Sequence, residues 1–381
     1  MYKSPLQGKC KKILLVVVIV SGLFNVIAIL PYVKPYYNKI ERKYFPPEHF
    51  SRNIPDEDIL NKVCVATLQH KGVKMSMYES KGLFEDIKSF LRPTRNTTVK
   101  NNFYTSYAMV GLSYYAMQKK DSMMMNKLRV KTDDFLDISQ KRLNYQIEKI
   151  DQMAIGILLL NLYKYYKCDT YLEAAHKLFS LLKAMREKDG TIMYVHGVDY
   201  NYVDALGMYV PFLMEYFNVT GDSLAYQIAD YNMKTYYIRG VNHKTGIPVH
   251  GYNIRSGIHV GSANWGRGIG WYLLAAAFCP QIDDPILRKT LSTMDYTQFP
   301  GNSEHFDSST ALMCEIYKQS KNKSRKLSLD FIKPHILANG FVDDCSGDTY
   351  DFNSYSHTFG ESELCNGLLL MLASRFANIH L

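Results

Sequence analysis

The sequence predicts an all-α protein, a six-hairpin toroid preceded by one N-terminal transmembrane helix, and three observations carry the prediction. Apolar residues recur at helical spacing almost throughout. Aspartates punctuate the chain at intervals the length of two helices and two turns. An uncharged apolar run stands near the start, behind a cluster of lysines.

That run, Ile13 to Leu30, is interrupted only by Ser21, Gly22 and Asn25 and follows Lys9, Lys11 and Lys12. Eighteen such residues are just enough to span a bilayer. A cleaved signal peptide is the rival reading, but the run is long for one and no small-x-small cleavage site precedes Pro31. The sequence therefore reads as a short basic tail over 1–12 and an uncleaved signal anchor over 13–30. The acid-free, lysine-rich leader favours an inside N-terminus and a body on the extracytoplasmic side. Residues 31–53, with Pro31, Pro35, Pro46 and Pro47 among tyrosines, read as a stiff linker. Residues 54–381 then form the folded body.

In that body Ile155, Leu158, Leu159, Leu162 and Tyr166 mark one apolar helix face. Leu206, Tyr209, Val210, Leu213 and Phe217 mark a second, and Leu273, Leu274, Ala277 and Phe278 a third. Strand-like alternation is short and rare, and is best at Thr191–Val195 and Ile247–His250, in Gly-containing loops between helices. Asp121, Asp169, Asp222 and Asp284 each precede a new amphipathic run, a position where a carboxylate accepts orphan amide protons. Their spacings of 48, 53 and 62 residues divide the body into about six hairpins. The absence of a polar capping repeat favours a closed array over an open solenoid.

Composition narrows the function. Of 45 bases and 36 acids, the first fifty residues hold eight and two, which leaves 37 and 34 and a charge of +3 for the rest of a chain whose total is +9. So balanced a body, without basic clusters interleaved with aromatics, carries no nucleic-acid footprint. Seven scattered cysteines without a C-x-x-C pair suggest neither a zinc site nor a disulfide framework.

Both tryptophans fall in Trp265-Gly266-Arg267-Gly268-Ile269-Gly270-Trp271. Dinucleotide and P-loop spacings are absent, and no strand of parallel-sheet character precedes it. The segment reads better as a helix start pressed against a sugar, with Trp265 and Trp271 as walls and Arg267 offering its fork to a carboxylate. The bland alternative buries both tryptophans and leaves Arg267 in an ion pair. Upstream, His250 and Tyr252 share a short extended loop with Gly251. Asp204 opens an otherwise apolar helix beside Tyr200 and Tyr202 and is either its N-cap or a general acid whose pKa apolar walls raise. Asp151 holds the matching place one hairpin earlier, so the two acids can converge on one cavity.

Four blocks in order resemble the unsaturated glucuronyl and rhamnogalacturonyl hydrolases, glycoside hydrolase families 88 and 105. They are Ile150-Asp151 with Gly156 to Leu159, Val203 to Leu206 with Met208 and Pro211 to Leu213, Thr245-Gly246 with His250 to Tyr252, and Trp265 to Trp271. A fifth, Gly367 to Ala373, extends the resemblance over roughly residues 100 to 378. The resemblance implies an (α/α)6 barrel, in agreement with the hairpin count. It implies an oligosaccharide substrate with a non-reducing-end unsaturated uronic acid, cleaved by hydration of the ring double bond. By the same analogy Asp204 protonates the enol ether, with Asp151 and His250 assisting. Arg267 would meet the uronate carboxylate, and Trp265, Trp271, Tyr252 and Tyr202 would line the site. No metal or organic cofactor is implied. A lyase or epimerase on the same barrel, or a non-catalytic glycan-binding scaffold, are the competing readings.

Overall fold

The computed structural model describes residues 15–26, 44–50, 54–69, 102–195, 197–261, 265–279, 306–322, 324–347 and 359–377, with a few isolated positions between them. The chain divides into two compact units, Met1–Pro47 with Tyr78–Thr98, and Glu48–Met77 with Val99–Leu381. In the first unit, residues 15–26 form a helix whose apolar side chains, such as Leu15, Ile19 and Leu23, are exposed. Among the described residues no helix is long and apolar enough to cross a membrane. The transmembrane helix expected over 13–30 is thus not part of the described fold, and the rest of that run lies outside it.

The second unit is built of helices ended by local chemistry. α1 spans Asp56–Gln69, α2 Phe103–Lys119, α3 Ser122–Asp133, α4 Ile155–Tyr166 and α5 Asp169–Ala184. α6 spans Val203–Thr220, α7 Ser223–Gly240, α8 Gly266–Phe278, α9 Ser308–Lys321 and α10 Glu363–Met371. Two of the punctuating aspartates are side-chain caps: Asp121 accepts from the Met124 amide and Asp222 from the Leu224 amide. Asp169 instead sits in the first turn of α5, behind Cys168, and Asp284 lies outside the described residues. α2 and α4 stop at Lys120 and Lys167 and α6 at Gly221, each with left-handed backbone.

α2, α4, α6, α8, α9 and α10 pack side by side in chain order, and α10 returns to pack against α2. The six helices therefore close into a ring. α3, α5 and α7 lie outside α2, α4 and α6, and α1 lies against α10 and α2. The outer helices are amphipathic, whereas α4, α6 and α8 are buried over most of their length. Closure depends on two glycines: a Cβ on Gly111 of α2 would run into the Gly367 carbonyl of α10, and one on Gly367 would run into the Tyr107 carbonyl. Only hydrogen fits between these backbones.

Strand content is short, as expected. Tyr200–Tyr202 (β1) pairs antiparallel with Gly251–Asn253 (β2), which pairs with His259–Val260 (β3). This ribbon sits at the N-terminal end of α6 and positions the candidate site. The linker read over 31–53 ends sooner than expected, because Glu48 and Phe50 already hydrogen-bond Ala338 and Ile336.

Candidate active site

Asp151 lies in a single 3-10 turn, Ile150–Ala154, leading into α4. The Gln152 side chain holds that turn by accepting from the Glu148 and Lys149 amides. Tyr194 fastens it from across the loop: its carbonyl accepts from the Ile150 amide at 3.2 Å, and its hydroxyl donates to Asp151 Oδ2 at 3.3 Å.

Asp204 is the second residue of α6, whose N-cap position belongs to Tyr202 without any side-chain cap bond. The N-cap reading of Asp204 therefore fails; its Oδ1 accepts from the adjoining Ala205 amide, at 3.0 Å. Burial, and then the negative charge of Asp151, push the Asp204 carboxyl up from 3.8 to about 6. The amides of Ala205 and Asp204 and the Arg267 guanidinium pull the other way. The acids from two successive inner hairpins thus do meet electrostatically.

His250 is joined to the same helix start, since its carbonyl accepts from the Val203 amide at 2.9 Å. Its ring is buried among Trp265, Phe352 and Tyr202, with centroids at 4.4, 5.5 and 6.1 Å. Gly261, at φ +76°, leaves room for it: a Cβ there would come within 2.6 Å of the His250 Cβ. Tyr202 stacks on Phe352 at 5.2 Å and 5° and leans on Tyr194 at 5.3 Å. The result is an aromatic wall, Tyr194, Tyr202, Phe352, His250 and Trp265, beside two acids.

Three residues expected in the site are used differently. Trp271 is 1% exposed and belongs to the core, edge-on to Phe103 and against Gly207, where a Cβ would lie 2.6 Å from its Cε3. Six residues on from Trp265 is 1.7 helical turns, which carries Trp271 away from His250 and into the α6 contact. Tyr252 is fully buried with Asn201, which donates to its hydroxyl at 3.1 Å. Strand alternation puts this pair on the face opposite Tyr202.

Arg267 is 2% exposed, and its fork does not await a ligand. Nη1 donates to the Ser346 carbonyl at 2.6 Å and Nη2 to the Gly347 carbonyl at 2.7 Å. Ser346 in turn donates to Asp307 Oδ2 at 2.8 Å. Arg267 thus fastens the 345–347 loop to the start of α8 while lowering the Asp204 pKa at a distance. Sequence reasoning missed Tyr194, Phe352 and Ser346. Tyr194 fell inside a stretch read only as a strand pattern, and nothing periodic surrounds the other two.

A half-buried acid poised near 6 beside a second acid and aromatic faces is suited to proton transfer on a sugar. The sequence profile described as Glycosyl Hydrolase Family 88 matches residues 88–290. The chain belongs to glycosyl hydrolase family 88. As a member it is a glycoside hydrolase, and its relation to families 88 and 105 is as the ordered blocks implied. No curated protein sequence matches it. Among solved structures it is similar to a possible family 105 member from Salmonella enterica serovar Paratyphi A, at 15% identity and TM-score 0.65, over 87% of this chain and 96% of that one. It is also similar to an unsaturated glucuronyl hydrolase specific for heparin, at 15% identity and TM-score 0.58, over 85% and 96%. The α-1,6-mannanase GH76A of Salegentibacter sp. HEL1_6 matches at 13% identity and TM-score 0.55, over 84% and 98%. At these identities the likeness is one of fold.

Proposed function

We propose that this glycoside hydrolase removes a non-reducing-end unsaturated uronic acid from lyase-generated oligosaccharides by hydrating the ring double bond. The observation that carries the reading is the Asp204 carboxyl, pushed up to about 6 by burial and by Asp151. An acid of this kind holds a proton near neutral pH and can deliver it to the enol ether carbon. The conjugate carboxylate then draws a proton from water as its oxygen adds to the adjacent ring carbon. The hemiketal so formed opens and releases the remaining sugar. Net, one water is consumed and the acid is regenerated.

Desolvation, and then repulsion from Asp151 held by Tyr194, favour the protonated form of Asp204. His250 is tied to the helix start that carries Asp204 and backs the aromatic wall, in which the partly exposed Tyr202 and Phe352 offer faces for the sugar. The uronate carboxylate is not received by a free Arg267 fork, so Arg267 acts through the loop it holds. The charge coupling of Asp151 to Asp204, at a helix start that also bonds the His250 carbonyl, supports an enzyme over a non-catalytic scaffold. A chemically distinct lyase or epimerase would centre on Tyr or His rather than on Asp204.

Incubation with lyase-generated oligosaccharides, following the ultraviolet absorbance of the double bond, tests the reaction. Loss of absorbance with release of the shortened sugar is expected; release of sugar from saturated substrates alone would assign ordinary glycoside cleavage instead. We also propose that residues 13–30 tether the protein to a membrane with the body extracytoplasmic, on the strength of the apolar run and its lysine-rich leader. Carbonate-resistant membrane association of the full chain, lost on truncation before Tyr44, is the expected result.

A further inference from the structure

We propose that His49, Asp343 and Asp344 form a binding site for a divalent transition ion of the zinc class, outside the candidate active site, which clasps the segment before α1 to the loop before α10. The two segments already meet through the backbone. Phe50 donates to the Ile336 carbonyl at 3.0 Å, and Ala338 donates to the Glu48 carbonyl at 2.9 Å. This pairing lays the His49 ring over the two acids.

One ligand atom from each of the three residues can be chosen so that all lie within 4.8 Å of one another. His49 Nε2 is a buried nitrogen with no hydrogen-bond partner among the described residues, and it stands 3.8 Å from Asp343 Oδ2, too far for a hydrogen bond. A buried polar atom aimed at carboxylates it does not touch is what an intervening cation would satisfy. Zinc to nitrogen or oxygen distances are about 2.0 to 2.2 Å in a tetrahedral site, so ligand atoms around it stand about 3.4 Å apart, and a contraction of about 1.4 Å from the 4.8 Å limit would close the site.

The surroundings favour ordered ligands. The Asp343 side chain is 2% exposed. His335 Nδ1 holds Asp344 Oδ2 at 2.7 Å and stacks on Phe306 at 3.7 Å and 7°, as an outer partner that orients a ligand does. One imidazole nitrogen with two carboxylates suits zinc or a neighbouring transition ion better than calcium or magnesium, which prefer oxygen throughout. The site would stiffen the loop that continues to Ser346 and Gly347, the acceptors of Arg267.

The test uses the full chain, stripped with a chelator, dialysed, and titrated with zinc alone. Metal content after gel filtration and the melting temperature are both read. We expect one equivalent bound through this cluster, with a rise of several degrees when zinc exceeds its Kd about a hundredfold. His49→Ala, at a partly exposed ring, should fold, retain one equivalent fewer and lose that rise; Asp344→Asn gives the same answer if His49→Ala does not fold. Absence of stoichiometric zinc, or equal zinc in the wild type and the folded variant, would overturn the site and leave a His49–Asp343 ion pair. Preferential stoichiometric uptake of calcium or magnesium would overturn the assignment of the ion.

Discussion

Asp151 and Asp204 head successive inner hairpins, and the charge of the first, added to burial, holds the carboxyl of the second at about 6. Proton delivery at neutral pH depends on this relationship, and the first prediction tests it directly.

Asp204→Asn keeps the side-chain shape and the oxygen that meets the Ala205 amide. Turnover should fall about a hundredfold to ten-thousandfold, the usual contribution of a positioned general acid, while the protein stays folded. Its stability has a defined sign. Below pH 3.8 the native carboxyl is neutral folded and unfolded alike; between 3.8 and about 6 only the unfolded chain ionises, so this group lowers stability as pH rises through that window and keeps it lower above. The melting temperature of the variant relative to wild type should therefore improve from pH 4 to pH 7. A variant with normal turnover would remove Asp204 from the reaction.

The kcat/KM profile should lose activity as pH rises past about 6, where Asp204 gives up its proton. Asp151→Asn removes a raising charge and should move that limb to lower pH. Tyr194→Phe should move it the same way by less, since it removes the hydrogen bond that fixes the Asp151 carboxylate in place. A limb that does not move in Asp151→Asn would show that the two acids act independently.

Arg267→Lys replaces two fixed donors by one ammonium, which cannot span the Ser346 and Gly347 carbonyls together. Hydrogen bonds from a charged donor contribute about 1.5 to 3 kcal/mol, so a loss of that order is expected in denaturant unfolding, with activity falling as well. An unchanged unfolding midpoint with only KM raised would return Arg267 to the substrate carboxylate.

Trp271→Ala should cost about 3 to 5 kcal/mol, because it empties a core position that Gly207 and Phe103 line. Trp265→Ala also removes a buried ring and should cost stability, but because that ring packs on His250 it should raise KM as well, which Trp271→Ala should not. Calorimetric melting and steady-state kinetics on the pair would expose an inverted assignment at once.

The local signals were legible in the chain. Helical spacing gave α4 and α6, Asp121 and Asp222 announced the helices they cap, and the hairpin count matches the closed ring of six inner helices. Each of these depends on residues within a turn or two of one another, and that information is local. Which candidate residues share a cavity is not local. Trp265 and Trp271 look equivalent in sequence, yet the first packs on His250 and the second against Gly207. Tyr202 and Tyr252 occupy neighbouring strands, but pleating turns Tyr202 toward Phe352 and Tyr252 toward Asn201.

Arg267 advertised a free fork until the 346–347 carbonyls, some eighty residues away in the chain, took it. The sequence by itself determined which residue types were present for chemistry and the helices that carry them. Only tertiary packing decided that burial beside Asp151 would turn Asp204 from an ordinary carboxylate into an acid near 6, because desolvation and through-space charge depend on neighbours that chain order does not supply.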